Sequence, residues 1–272
     1  MTVPTISIRG ADGTVIPLSR PGEYRPDGLA LMAVPEGLSG WGQDNQWEEY
    51  YGAAGAAFRG VRSGVEKLTL ELQARGSDPR AHVNAVVDAC SAGPVHFVVN
   101  TPDYGERFVE GRLQAVSKVR WYGGTAYEAA LAELTLILDV GRPLWQCEPR
   151  RAELTPGNTT WGDIALETPG DQHFWPRFTI TGRYANLRIR LNDGDEWQEL
   201  PWSAGGWVVD SNPATRGVRT PGGDYSFAGL VPFWPVPVKV NNGEAVVQII
   251  PVSAQADFKV VVDWTPEAKR AW

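Results

Sequence analysis

Hydrophobic and polar positions alternate along most of this chain, and one short stretch departs from the rule. Residues 78–92 read DPRAHVNAVVDACSA, with Val83, Val86, Val87 and Cys90 at the i, i+3, i+4, i+7 spacing of one helical face. Asp78 supplies an N-cap, Pro79 suits the first turn, and Gly93 with Pro94 stops the run, so a helix is predicted over 78–92. On either side the period is two. Leu68, Leu70 and Leu72 alternate with polar residues before the helix, and 95–99 is a short apolar run after it, so strands flank it.

The same alternation organises the rest of the first half. Residues 3–8 and 14–18 are two short strands joined by Arg9-Gly10-Ala11-Asp12-Gly13, a turn of the hairpin kind. Residues 29–34 supply another strand, and 108–120 and 126–140 two long ones around the turn Trp121-Tyr122-Gly123-Gly124. Residues 1–145 are thus expected to form a sheet of roughly six strands carrying one helix. Between 35 and 64 neither period holds. That section includes WGQDNQWEEYYGAAGAAFRGVRSG and is expected to be a long loop, of a kind that in compact domains is usually functional or disordered. Trp41, Trp47, Tyr50, Tyr51 and Phe58 make it too apolar for a solvated linker. They would pack on a partner or back on their own domain, and the sequence leaves both open.

From Trp145 onward helical signals disappear. Residues 174–182 (FWPRFTITG) read as a strand; Leu187, Ile189 and Leu191 alternate with arginines, and Asn192-Asp193-Gly194-Asp195 turns the chain back through 196–200. Residues 207–210 and 216–220 pair across Ser211-Asn212-Pro213. Val236, Val238 and Val240 alternate, Asn241-Asn242-Gly243 turns, 245–250 returns, and Phe258, Val260, Val262 and Trp264 make the last strand. Roughly eight strands with a turn every 8–12 residues describe a β-sandwich over 146–272. The fold class is mainly β.

Composition adds limits. With 43% apolar and 21% charged residues the chain is globular, and no apolar run approaches the roughly 18–20 residues of a membrane span, so no membrane insertion is expected. Met1 leads straight into the strand-like TVPTISIRG, so no secretory leader is expected and synthesis is placed in a cytosol. The net charge of −7 is spread evenly: 14 basic and 18 acidic residues up to Arg150, 11 and 14 beyond it. Neither half has the basic footprint of stable nucleic-acid binding.

In this order, the features resemble the distal tail protein (Dit), or minor tail protein, family of long-tailed (siphovirus-type) bacteriophages. The local matches are the entry strand TPGDQHFWPRFTITG, the hairpin WVVDSNPATRGVRT and the run VPFWPVPVKVNNGEAVVQIIP. The resemblance implies an N-terminal belt-like ring-forming domain, a C-terminal galectin-like sandwich, and a homo-hexameric ring around the DNA exit channel. Implied partners are the tail tube protein, a tail tip or hub protein and the tape-measure protein; the implied location is the distal tip of the virion tail, after synthesis in the bacterial host cytoplasm. A closing ring needs heterologous contacts, for which the 35–64 section offers Trp41, Trp47, Tyr50, Tyr51, Phe58 and Arg59.

No catalytic constellation or cofactor is expected. His82, His96 and His173 have no metal-ligand spacing with one another or with Cys90 and Cys147, and the spacing of the two cysteines says nothing about their pairing. The run 52–60 (GAAGAAFRG) lacks the lysine and hydroxyl of a phosphate loop. Asp193, Asp195, Glu196 and Glu199 sit on a hairpin tip, where charge is ordinarily solvated. The rival function is a carbohydrate-binding module acting in host-surface adhesion, with Trp161, Trp175, Trp197, Trp202, Trp207 and Trp234 as stacking candidates. Against it, tryptophans inside alternating runs of a sandwich are more often core.

Overall fold

The computed structural model describes residues 3–42, 44–49, 56–62, 64–157, 159–192, 195–212, 217–220, 222, 240 and 244–271; for 44–49, 56–62 and Glu244 it describes the backbone alone. The chain is mainly β and divides into two compact units, 1–145 with 269–272, and 146–268. The last residues return to the first unit, whereas the sequence pattern groups them with the second.

The first unit contains β1 (Thr5–Arg9), β2 (Val15–Ser19), β3 (Gly28–Leu31), β4 (Asp44–Glu49), β5 (Ala56–Arg62), β6 (Glu66–Arg75), α1 (Pro79–Ser91), β7 (Val95–Thr101), β8 (Gly105–Val116), β9 (Arg120–Tyr122) and β10 (Leu131–Val140). The pairings run β1-β2-β3-β6-β10-β8-β7 and back to β1, which closes seven strands into a barrel. All are antiparallel except β2 with β3, a parallel contact of two residue pairs. Alternation fills the interior of the closed sheet. Ile8, Leu18, Leu31, Leu68, Leu70, Leu72, Phe97, Val99, Leu136 and Leu138 all point inward and are buried, each worth about 1.5–3 kcal/mol relative to exposure.

The helix packs on β3, β6, β8 and β10 through Val83, Val86, Ala89 and Cys90, all buried. Its start is as predicted: the Asp78 side chain accepts from the Ala81 N–H at 3.0 Å and Pro79 opens the first turn. Where β8 crosses β10 the register shifts between Ile137 and Leu138, a bulge that bends the strand. Gly111 fits there because a Cβ would lie 3.1 Å from that of Leu138.

Two expectations need correction. The strand predicted over 126–140 begins only at Leu131. Thr125 and Glu128 form a tight turn, with the Glu128 and Ala129 N–H groups donating to the Thr125 carbonyl and the Glu128 carboxylate accepting from the Thr125 N–H. This local capping overrides the alternation around it. The long loop predicted over 35–64 contains instead an antiparallel pair, β4 with β5, bulged between Gln46 and Trp47. Its glycines and alanines weaken the period-two signal, so backbone pairing is invisible in the side-chain pattern.

The second unit contains β12 (Arg150–Leu154), β13 (Gly162–Glu167), β14 (Arg177–Thr181), β15 (Asn186–Arg190), β16 (Gln198–Pro201), β17 (Trp207–Asp210), β18 (Gly217–Arg219), β19 (Glu244–Val252) and β20 (Lys259–Trp264). The short strands β11 (Trp145–Cys147) and β21 (Glu267–Ala268) lie where the chain leaves and rejoins the first unit. A five-stranded sheet, β12-β20-β14-β17-β18, and a four-stranded one, β13-β19-β15-β16, share one apolar core in which Phe178, Val209, Val260 and Val262 meet Leu166, Leu187, Ile189 and Val247. The first and second of these strands carry no clear sequence signal: β12 is largely exposed and charged, and β13 begins at Gly162. Of the predicted alternation at Val236, Val238 and Val240, the first two lie outside the described residues.

Candidate assembly surface

Loop 32–42 joins the barrel to the β4–β5 pair. Trp41, at its end, stacks on Trp145 with ring centroids 5.9 Å apart and planes 19° from parallel; Phe97 meets the Trp145 ring at 6.2 Å, edge on. The Trp145 indole N–H donates to the Gly37 carbonyl at 3.1 Å. Gly37 has φ 92°, and a Cβ there would run into the Trp41 ring, so a side chain is excluded on two counts. The chain end straps this loop: the Ala271 N–H donates to the Leu38 carbonyl at 2.9 Å, and Arg107 donates to the Arg270 carbonyl at 2.8 Å. Arg107 is buried and lies over the Tyr104 ring at 4.6 Å. The root of β4–β5 is therefore fixed, while β4 and β5 form a two-stranded sheet of their own.

The contact candidates read from the sequence divide accordingly. Trp41 is an anchor within its own unit. Trp47 and Phe58 face each other in the register of β4–β5; Arg59 lies on β5, and the side chains of all three are not described. Tyr50 and Tyr51 lie outside the described residues.

A second feature of the barrel has no signature in the sequence. Strand β7 begins at Val95, opposite Gly111. From Arg112 to Tyr122 the chain pairs with β10, through β8 and then β9. Ser117 bridges the two strands, its N–H donating to the Thr135 carbonyl at 2.9 Å and its hydroxyl accepting from the Thr135 N–H at 2.7 Å. Beside this stretch an open cleft of about 510 Å³ is lined by Met32, Glu71, Lys118, Arg120 and Glu133, among others. The Tyr122 hydroxyl donates to Glu133 at 2.6 Å, and that hydrogen bond is the first cause holding the phenol above its ordinary pKa.

The whole architecture has solved counterparts. The Dit protein (gp 19.1) of phage SPP1, described as a paradigm of hub adsorption apparatus in Gram-positive infecting phages, matches at TM-score 0.62 and 13% identity over 98% of this chain and 99% of its own. This chain has the Dit fold. Chains of the phage P2 baseplate in its activated conformation, with Ca and with Sr, align at TM-scores 0.47 and 0.44 and 10% identity, covering 99% and 96% of this chain and 100% and 98% of theirs. No protein-family model and no curated protein matches.

On this Dit fold the other polar candidates are in structural use. His82 meets Asp27 at 3.2 Å, His96 tilts against Phe108 at 4.7 Å, and the Val240 N–H donates to His173 at 3.3 Å. Cys90 and Cys147 are both buried and not joined in a disulfide; burial pushes the Cys90 thiol up to about 11. Glu199 pairs with Arg188 at 2.8 Å, Asp195 accepts from Asn192 at 2.8 Å, Glu196 is exposed, and Asp193 lies outside the described residues. No group of three or more metal-ligating side chains comes together among the described residues, and no helix there is long and apolar enough to cross a membrane. Of the tryptophan candidates, Trp207 is buried, Trp161 tilts against Phe258 at 5.5 Å, Trp197 is covered by the Arg190 guanidinium at 4.8 Å, Trp175 is half-buried, and Trp202 is 47% exposed. Trp234 lies outside the described residues.

Proposed function

We propose that this chain is a non-enzymatic structural component of a bacteriophage tail: a distal tail ring, six copies joining the tail tube to the tail tip or baseplate and surrounding the channel through which DNA leaves. The observation that carries this reading is the end-to-end correspondence with SPP1 Dit, which spans both units and leaves almost no part of either chain over. In this reading the barrel unit builds the ring, the sandwich is the galectin-like unit, and the β4–β5 arm reaches a neighbouring copy. Its mild, evenly spread acidity suits a channel that must let DNA pass without holding it. Tail tube, tip and tape-measure proteins are the partners that follow, and the virion tail tip the location. The mass of the purified protein, measured by native mass spectrometry or light scattering across a concentration series, tests it. A closed assembly of six chains is expected; a monomer at every concentration counts against the ring.

The second reading, a carbohydrate-binding module, rests on exposed Trp202. Titration with host cell-wall glycans, and loss of the signal in Trp202→Ala, would support it; flat titrations would leave the structural role alone.

A further inference from the structure

The β4–β5 arm leaves the barrel by one limb and returns by another, and the two are held very differently. On the outgoing limb, 37–42, the Gly37 carbonyl accepts from the Trp145 indole N–H at 3.1 Å and from the Gly40 N–H at 3.0 Å. Leu38 is 2% exposed, and the Trp41 ring lies on that of Trp145. The returning limb, Gly64 with Val65, has no such bracing among the described residues. A Cβ on Gly64 would meet nothing within 4 Å, and Val65 is 68% exposed. A lone two-stranded ribbon is marginally stable in water, and this one shares no sheet with another described strand. Its limbs, not sheet pairing, therefore set the direction in which it points.

Residues 269–271 close the brace from outside, each through its backbone. Gly40 has φ 98°, and a Cβ there would lie 2.9 Å from the Lys269 carbonyl oxygen, so loop and strap meet main chain to main chain. The Arg270 carbonyl accepts from the buried Arg107 at 2.8 Å. The Ala271 N–H donates to the Leu38 carbonyl at 2.9 Å, and Ala271 itself is fully buried. Contacts at successive residues leave the strap one register on the loop, and they satisfy backbone groups that burial would otherwise leave unpaired.

We propose that residues 269–271 are a clasp that sets the direction in which the arm leaves the barrel, and that assembly of copies depends on the clasp being closed. This deepens the ring reading and rests on it. Pre-organisation is the physical reason. An arm already held in one direction loses little freedom when it meets a neighbouring copy, whereas an arm on two loose limbs loses that freedom at the moment of contact and binds more weakly for it. Residues 269–271 act through loop 37–42 and are positioning residues for the contact.

Native mass spectrometry of the full-length protein across a concentration series tests it, well below the melting temperature of each variant so that only folded chains are compared. Gly40→Ala opens the clasp from the loop side, and Ala271→Pro, which lacks the donor to Leu38, opens it from the other. Each is expected to raise the concentration needed for assembly by about tenfold or more, with the circular dichroism of the wild type. Gly64→Ala, on the unbraced limb, is expected to assemble as the wild type does. Hydrogen exchange on the wild type supplies a second reading: the Gly40 and Ala271 amides are expected to be protected, and that of Gly64 to exchange fast. If the wild type assembles and either folded clasp variant does so at the same concentration, the clasp is wrong while the ring stands. It is equally wrong if Gly64→Ala impairs assembly as much, or if the Gly40 and Ala271 amides exchange as fast as that of Gly64, a result that decides the matter even where neither clasp variant folds. A wild-type chain that is monomeric at every concentration removes the ring and the role of the clasp together.

Discussion

Single residues are where the chemistry of this chain is most constrained. Tyr184 lies in the sandwich core, 5% exposed, with its hydroxyl donating to the Pro201 carbonyl at 3.1 Å; desolvation holds it up to about 12, from 10.0. Cys90 is raised from 9.0 to about 11 by the same cause in the barrel unit. In both cases the folded state keeps its proton to higher pH than the unfolded chain does. The stability involved is therefore present in full below the unfolded values and is lost as pH rises through the folded ones. Unfolding temperature should hold steady up to about pH 9 and fall between about pH 9 and 12. Thermal melts across that range, followed alongside tyrosinate absorbance, check it; an unchanged melting temperature through this window would contradict the burial of both groups. That burial could be anticipated for Cys90, which sits on the helical stripe. It could not for Tyr184, which follows Gly182 and Arg183 in what reads as a turn.

Among the elements, the arm shows most clearly how local sequence and tertiary contact share the work. Its root is legible as an aromatic cluster, but not that Trp41 turns inward while the chain goes on into paired strands. The reason is Trp145, more than a hundred residues away in sequence, which offers a stacking face and takes the Gly37 carbonyl as its hydrogen-bond acceptor. Replacing Trp41 by alanine removes that stack. Because Trp41 is half-buried, the expected loss is about 2 kcal/mol, below that of a fully buried tryptophan. Denaturant unfolding followed by the fluorescence or circular dichroism of the barrel unit measures it, and a change under about 0.5 kcal/mol would show that the arm is rooted by backbone contacts instead.

At the scale of the whole molecule, the first unit is completed by residues 269–272, which lie beyond the entire second unit in sequence. Ala271 is fully buried, and the strap contributes two backbone-acceptor contacts, one from Ala271 to Leu38 and one from Arg107 to Arg270. Removing 269–272 should lower the stability of the barrel unit by about 2–4 kcal/mol, from the lost hydrogen bonds and the exposed partners they leave. The sandwich core, which draws on none of these residues, should unfold unchanged. Calorimetry on the full and shortened chains separates the two transitions; an equal shift in both would mean that the units do not unfold independently.

The class of this protein, its helix with the N-terminal cap, most of the inward-facing positions and the change of character near residue 145 can all be read from the order of residues. Those properties are written in period and in local capping, which act over a few residues and are the same in any fold that uses them. That the first sheet closes on itself, that a strand pair stands where no period is visible, and that the chain end returns to the barrel are settled by long-range pairing. Each depends on contact between residues far apart in the chain. Backbone hydrogen bonds make such pairs without regard to side-chain identity, so the pattern of hydrophobic and polar residues carries no record of which strand meets which.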